Sequence, residues 1–374
     1  MTDSFVPEAP AVDDANNGAR SNEARIDGPA GAGEVVDTDE PRAIPAGLDD
    51  AVLRLRDFRV TFPTLFGEVQ AVRGVDLDVA AGELVGIVGE SGSGKSVTFL
   101  GLMGLLPKRT RIEGSAKVGG TELVGASKKL INRVRGKRVA MIFQDPLSAL
   151  NPVQRIGDQI VEMIQSHQNM GKKPAWSRSV ELLDLVGIPQ PKERASQYPH
   201  EFSGGMRQRV MIAMAIANDP EVLIADEPTT ALDVTVQAQI LEVLQRVRSE
   251  MRTAIVLITH DLGVIARVAD RVQVMYAGRT AERGDVGPIF DHPSHPYTQG
   301  LLASLPALGR DRLSPIPGSP PNMLHPPSGC AFRPRCPHAV DRCAEGSPPE
   351  IVPFGDLATA CIRAGELAEL QPVS

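Results

Sequence analysis

Four short apolar runs punctuate the middle of the chain: "ELVGIVG" (83–89), "VAMIFQ" (139–144), "EVLIAD" (221–226) and "AIVLITH" (254–260). They are rich in β-branched residues and do not alternate with polar ones. Such runs predict strands buried on both faces, as in a parallel sheet covered by helices. Between the second and third lies a polar, helix-like interval that includes "IGDQIVEMIQSHQ" and "SRSVELLDLVGI". Strands alternating with helices predict an α/β sheet domain over residues 51–285, and so long an interruption predicts an inserted helical subdomain at about 147–220. "RVQVMYAGRTAERG" (271–284) alternates and then turns at glycine, which predicts a hairpin at the sheet edge. No internal repeat is visible.

Both flanks lack this patterning. Residues 1–50 have scattered Pro and Gly, one aromatic (Phe5), and no helical or strand period. They cannot bury enough apolar surface to offset the entropy of ordering, so a disordered acidic extension is expected there. With no basic start followed by an apolar run, the segment does not read as a secretory signal. After residue 286 the composition turns to Pro, His and then Cys. "SPIPGSPPNMLHPPSGC" (314–330) is too Pro-rich for a helix or a central strand, and reads as an extended connector into a small C-terminal module within 286–374. The longest apolar candidate elsewhere, "VMIAMAIA" (210–217), falls well short of the roughly 18–20 residues that cross a bilayer. A soluble, cytosolic chain is expected.

Composition changes this picture in two places. Aromatic residues make up only 4% of the chain, so Val, Ile, Leu, Ala and Met must fill the core. The net charge of −7 is carried by the first 50 residues, which hold 12 acidic and 3 basic side chains and leave 34 acidic and 36 basic for the rest. The folded part is therefore nearly neutral. "KKLINRVRGKR" (128–138) concentrates six basic residues, but without interleaved aromatics it reads as a solvated face, not a surface for nucleic acid or anionic lipid.

The chemistry lies elsewhere. "GESGSGKS" (89–96) follows one apolar run and precedes the helix-like "VTFLGLMGLL", the setting in which G-x-x-x-x-G-K-[ST] forms a phosphate loop. Glycines let backbone N–H groups converge on an anion, and the new helix adds its positive end. Lys95 supplies a point charge for the β- and γ-phosphates, and Ser96 an oxygen for Mg²⁺. "VLIADEP" (222–228) ends a buried strand on two carboxylates. Asp226 is placed to hold the metal, which leaves Glu227 to polarise an attacking water. "DEPTTALD" could also cap a helix, but that does not account for its pairing with a phosphate loop. His292 and His295 in "DHPSHPY" could ligate a metal, although the interposed proline favours a structural loop.

"FSGGMRQRV" (202–210) resembles the signature motif of ATP-binding-cassette (ABC) proteins, and it lies shortly before the Asp-Glu strand, as that family requires. With it come Gln144 in "MIFQDP", "ALD" (231–233) and His260 in "LITHD". The resemblance spans roughly 52–285 and departs from the commonest pattern at Phe202 and Met206. It implies a P-loop NTPase of ABC type, a parallel-sheet core with an antiparallel β edge and an inserted helical subdomain, working with ATP and Mg²⁺. By the same resemblance Gly89, Ser91, Gly92, Ser93, Gly94, Lys95, Ser96 and Val97 cradle the nucleotide, joined by Asp233. Ser96, Gln144 and Asp226 attend the metal, and Gln144 also meets the membrane partner. His260 holds the γ-phosphate and orients Glu227, and Phe62 stacks on adenine. Ser203, Gly204 and Gly205 act in trans, on a phosphate held by a second ATPase subunit.

"HPYTQGLLASLP" (295–306), "GSPPN" and "PSGCAFRPRCPHAVDRC" resemble the C-terminal extension of oligopeptide and dipeptide importer ATPases, close relatives of which import nickel or glutathione. The resemblance implies a peripheral subunit on the cytoplasmic face of the cell membrane. Its partners would be a homologous but distinct ATPase chain, two integral-membrane permease subunits and, indirectly, an extracytoplasmic solute-binding protein, with no nucleic acid. One alternative keeps this mechanism and changes the cargo to nickel, glutathione or another small solute; a less favoured one is a soluble cassette acting on nucleic acid or ribosomes, against which stands the lack of room for a long coiled coil between Ser96 and Ser203. All four cysteines, Cys330, Cys336, Cys343 and Cys361, fall in this tail. A disulfide does not suit the ATP side of a membrane. The spacing lacks a short chelating pair, and by itself leaves zinc and a [4Fe–4S] cluster equally open. The resemblance implies the cluster.

Overall fold

The computed structural model describes residues 51–143, 149–230, 232–305 and 315–370. The acidic extension, Gln144 and Ala231 lie outside them.

Alternate side chains of the buried strands enter opposite cores. On β3 (Leu84–Val88), Leu84 and Val88 join one apolar cluster while Val85 and Ile87 join another. The same division separates Leu223 and Ala225 from Val222 and Ile224 on β7 (Val222–Asp226). It also separates Ile255 and Leu257 from Val256 and Ile258 on β8 (Ala254–Ile258). Every residue of these three strands is buried, so their apolar runs are continuous because neither face meets water.

The first cluster is covered by helices Ile156–His167, Lys172–Leu185, Gly204–Ala215 and Val234–Met251. Ile156, Ile160 and Ile164 recur at intervals of four and are fully buried, which puts one stripe of the first helix against the sheet side. The second cluster lies under an antiparallel sheet of β1 (Ala51–Thr64), β2 (Gly67–Ala80), β4 (Arg111–Val118) and β5 (Thr121–Glu122), in the order β2-β1-β4-β5. The apolar runs do not foretell this sheet. Only one of its faces is dry, so β1 reads Leu53-Arg54-Leu55-Arg56, with the leucines buried and the arginines half-exposed.

The larger sheet runs β11-β12-β10-β9-β3-β8-β7-β6. Strands β9 (Arg271–Tyr276), β3, β8, β7 and β6 (Val139–Ile142) are parallel. Beyond β9 the pairing turns antiparallel through β10 (Arg279–Asp285), β12 (Leu357–Thr359) and β11 (Val352–Phe354). The β9–β10 hairpin is present but is not the edge expected from sequence. The chain returns after its Pro-rich connector, and Leu357–Thr359 pairs along Glu282–Gly284, so the edge passes to the tail. Among the described residues no helix is long and apolar enough to cross a membrane.

Candidate active site

Strand β3 ends at Val88, and the chain turns through residues 89–94 into helix Lys95–Leu102. The turn needs glycine. Gly89 has φ 147° and a Cβ there would stand 2.2 Å from the Met275 carbonyl oxygen, while Gly94 has φ 97° and its Cβ would stand 2.6 Å from that of Ala71. Ser91 and Gly92 are exposed at the crown, Ser93 is buried, and Ser96 and Val97 sit half-buried in the first helical turn. Lys95 is buried, and its Nζ donates to the carbonyl oxygens of Gly89 at 2.7 Å and Glu90 at 3.0 Å. Burial pulls its ammonium below the usual lysine range, while Glu227, Asp226 and Glu90 push it back.

In the large sheet β8 separates β3 from β7, so their carboxyl ends open on one crevice, where ligands of such sheets bind. The Ser96 hydroxyl donates to Asp226 Oδ1 at 2.8 Å, tying the helix after β3 to the end of β7. Burial raises the Asp226 carboxyl and Glu227 adds to this, against the pull of Ser96 and Lys95. A hydroxyl and a buried carboxylate are hard oxygen donors suited to Mg²⁺, so these residues fit the metal. Glu227 leaves the strand in the left-handed region at φ 47°, a conformation that costs a non-glycine residue about 1–3 kcal/mol. Its N–H continues the ladder to the Ile258 carbonyl at 2.9 Å, which holds the turn in place. Its carboxylate accepts from Thr230 Oγ1 at 2.9 Å and lies 3.3 Å from Nδ1 of exposed His260. Burial pushes Glu227 up, but Thr230 and His260 outweigh it and hold the carboxyl below its usual range, so it is ionised at neutral pH.

The signature residues occupy a different place. Ser203 caps helix Gly204–Ala215, its hydroxyl accepting from Met206 N at 3.4 Å. Ser203 and Gly204 are exposed, and a Cβ at Gly204 would meet nothing within 4 Å. Gly205 faces Val236, not the phosphate loop. Phe202 is buried with Arg194 over its ring, and Met206 packs beside the same helical core, so both departures from the motif are packing residues. Phe62 lies half-buried on β1 against the antiparallel-sheet core. Asp233 is exposed and caps helix Val234–Met251 by accepting from Val236 N at 3.0 Å. In the basic run Lys128, Lys129, Arg133 and Lys137 are exposed, but Arg138 pairs with Glu221 and Arg135 donates to the Met103 carbonyl. Only part of that run is a solvated face.

In the tail all four cysteines are free thiols lining one small cavity with His295 and His338. Burial pushes Cys361 up to about 11 and raises Cys330 and Cys336, against backbone N–H groups that donate to their sulfurs. Among the described residues, however, no group of three or more His, Cys, Asp or Glu is placed to hold a metal ion. His292 is exposed, and His295 is a buried helix cap whose Nδ1 accepts from Tyr297 N at 3.0 Å, the structural role its loop suggested.

Sequence reasoning passed over Glu90, Tyr297 and Arg335. The N–H of Glu90 donates to the Tyr297 hydroxyl at 2.8 Å, and its carboxylate pairs with Arg335. The only signal was a carboxylate inside an anion-binding loop, with no hint of its partner more than 200 residues away.

Comparison with known proteins gives the family. Residues 72–230 match the ABC transporter family, and residues 281–343 match the C-terminal region of oligopeptide/dipeptide transporters. The oligopeptide transport ATP-binding protein OppD of Escherichia coli (strain K12) is 51% identical over 319 residues, 85% of this chain and 94% of that protein. The dipeptide transport ATP-binding protein DppD of Bacillus subtilis (strain 168) is 48% identical over 324 residues, 86% of this chain and 97% of that protein. Among solved structures, the dimeric ATP-binding cassette MJ0796 bound to ADP and phosphate superposes with a TM-score of 0.56 at 26% identity, covering 63% of this chain and 98% of that one.

Proposed function

The chain belongs to the ATP-binding subunits of oligopeptide and dipeptide ABC transporters, and we propose that it drives peptide import by closing over MgATP against a second ATPase chain and hydrolysing it at Glu227. The observation that carries this is the meeting of Ser96 with Asp226 and of Glu227 with His260, at the ends of strands that share one crevice. Lys95 exchanges its loop carbonyls for the β- and γ-phosphates, the glycine-rich turn contributes N–H donors, and Ser96 and Asp226, with Gln144, would hold Mg²⁺, which would supply charge neutralisation. Glu227 accepts a proton from the attacking water as its oxygen bonds the γ-phosphorus. The bond from that phosphorus to the bridging oxygen breaks, leaving ADP and phosphate. His260 keeps the Glu227 carboxylate ionised and aimed.

Ser203 and Gly204 serve a nucleotide on the opposing chain. Their exposure at a helix start supports this, as does the dimeric form of the related cassette MJ0796. The chain docks to two permease subunits at the cytoplasmic face of the membrane, and a solute-binding protein delivers the peptide. Phe62 stacks on adenine, and Asp233 lines the same shared interface. The four thiols bind one iron–sulfur centre, with their common cavity and the N–H donors to three sulfurs as support. No group of three or more of them is placed to hold a metal ion among the described residues, and no step of ATP cleavage runs through them. The test is ATP hydrolysis and peptide uptake by the full chain assembled with its permease subunits in vesicles. Peptide-dependent turnover is expected, and its absence in a correctly assembled complex would overturn the proposal.

A further inference from the structure

Glu90 is a carboxylate set in a loop built to receive an anion, and an arginine from the C-terminal region covers it. Arg335 Nη1 and Nη2 meet Glu90 Oε2 and Oε1 at 2.5 and 2.9 Å, and the arginine side chain is only 4% exposed. The guanidinium is fixed from behind, its Nε donating to the Pro317 carbonyl at 2.8 Å and Nη1 to the Tyr276 hydroxyl at 3.3 Å. The Tyr297 hydroxyl takes the Glu90 N–H, and Lys95 takes its carbonyl. Every polar group of Glu90 is thus engaged, its carbonyl also accepting from Ser93 N at 3.2 Å, and the C-terminal region supplies two of the four partners. Tyr276, Tyr297 and Phe332 pack around this point with ring centroids 4.5 and 5.3 Å from Tyr276, so a chain poor in aromatics concentrates two of its three tyrosines here.

An unpaired carboxylate beside a triphosphate opposes binding by charge repulsion, which low local dielectric strengthens. A buried two-pronged pair with arginine removes that charge and fixes the direction of the turn. We propose that Arg335 and Tyr297 are positioning residues of the ATP site: Arg335 cancels the charge of Glu90, and with Tyr297 it holds the start of the phosphate loop in its anion-receiving curve. The proposal rests on the ATPase reading above, and it makes the tail a working part of the nucleotide pocket.

The test uses the full chain and measures MgATP and MgADP binding by displacement of a fluorescent ATP analogue, alongside thermal midpoints. Arg335→Gln leaves Glu90 bare and is expected to weaken MgATP binding roughly tenfold, and MgADP binding less. Glu90→Gln is expected to act with the opposite sign, leaving MgATP affinity equal or higher, and the double variant is expected to regain most of what Arg335→Gln loses. Tyr297→Phe should weaken both nucleotides alike, because it frees a backbone N–H and alters no charge. If Arg335→Gln and Glu90→Gln both weaken binding by the same factor, or if neither changes it while both lower the thermal midpoint, the pair is a structural staple and the proposal fails. Should Arg335→Gln not fold, the sign of Glu90→Gln decides alone. An unmodified chain that binds no MgATP would defeat the ATPase reading itself, an outcome distinct from unresponsive variants.

Discussion

Nδ1 of His260 lies 3.3 Å from Oε1 of Glu227, joining the turn after β8 to the turn after β7. The carboxylate proposed above to accept a proton is therefore aimed by an exposed imidazole on the neighbouring element. Glu227→Gln keeps the shape and removes the basicity. Hydrolysis by the assembled transporter is expected to fall by roughly 100-fold or more, while MgATP binding persists and the closed pair of ATPase chains accumulates on size exclusion. Unchanged turnover would be fatal to the assigned role.

Gly204 offers a separable test of action in trans. A side chain there meets nothing within its own chain, so Gly204→Val should leave the thermal midpoint of the isolated subunit where it was. It should nevertheless abolish ATP-driven pairing and cooperative hydrolysis. Loss of the fold, or full activity in the complex, would each contradict the placement of this glycine at the opposing nucleotide.

The proposed iron–sulfur centre predicts a metal count. Chain purified without oxygen should contain iron and acid-labile sulfide with visible charge-transfer absorption, and Cys336→Ser should lose all three. Stoichiometric zinc without sulfide would replace the cluster with a zinc site.

Glu282 on β10 and His295 in the tail set opposing pH responses. Both are buried, and Glu282 Oε1 accepts the His295 N–H at 3.1 Å. Burial pushes Glu282 from 4.5 up to about 7, so across that window the folded chain keeps a proton that the unfolded chain has released. Its contribution to stability therefore falls as pH rises, by about 1.4 kcal/mol per unit at the steepest. Burial pulls His295 from 6.5 down to about 4, so its contribution is lost as pH falls through that range. Glu282→Gln keeps an acceptor and removes one arm. In urea denaturation it should be more stable than the unmodified chain at pH 8, with the advantage gone by pH 5. An equal difference at both pH values would refute the assignment.

The parallel strands and the glycine-rich turn at 89–96 were legible because each depends on local pattern. β3, β7 and β8 are dry on both faces and so read as unbroken apolar runs, and the 89–96 turn needs glycine where its Cβ would strike a carbonyl. Antiparallel structure was expected only from the family resemblance, because β1 alternates leucine with arginine and gives no apolar run. The Glu90–Arg335 pair escaped notice for a different reason: 245 positions separate its members, and neither departs from its local composition. The thiols were legible as a group, since all four do line one cavity, yet spacing along the chain could not say how they are placed around it.

Strands β12 and β11 close the side of the large sheet that β10 would otherwise leave open. During synthesis β10 must wait for residue 359 before its outer backbone groups find partners, and an unpaired strand in that interval is a template for association with other nascent chains. A chain shortened before this point would carry a complete phosphate loop and an adhesive flank, so its loss from the soluble fraction would say nothing about catalysis.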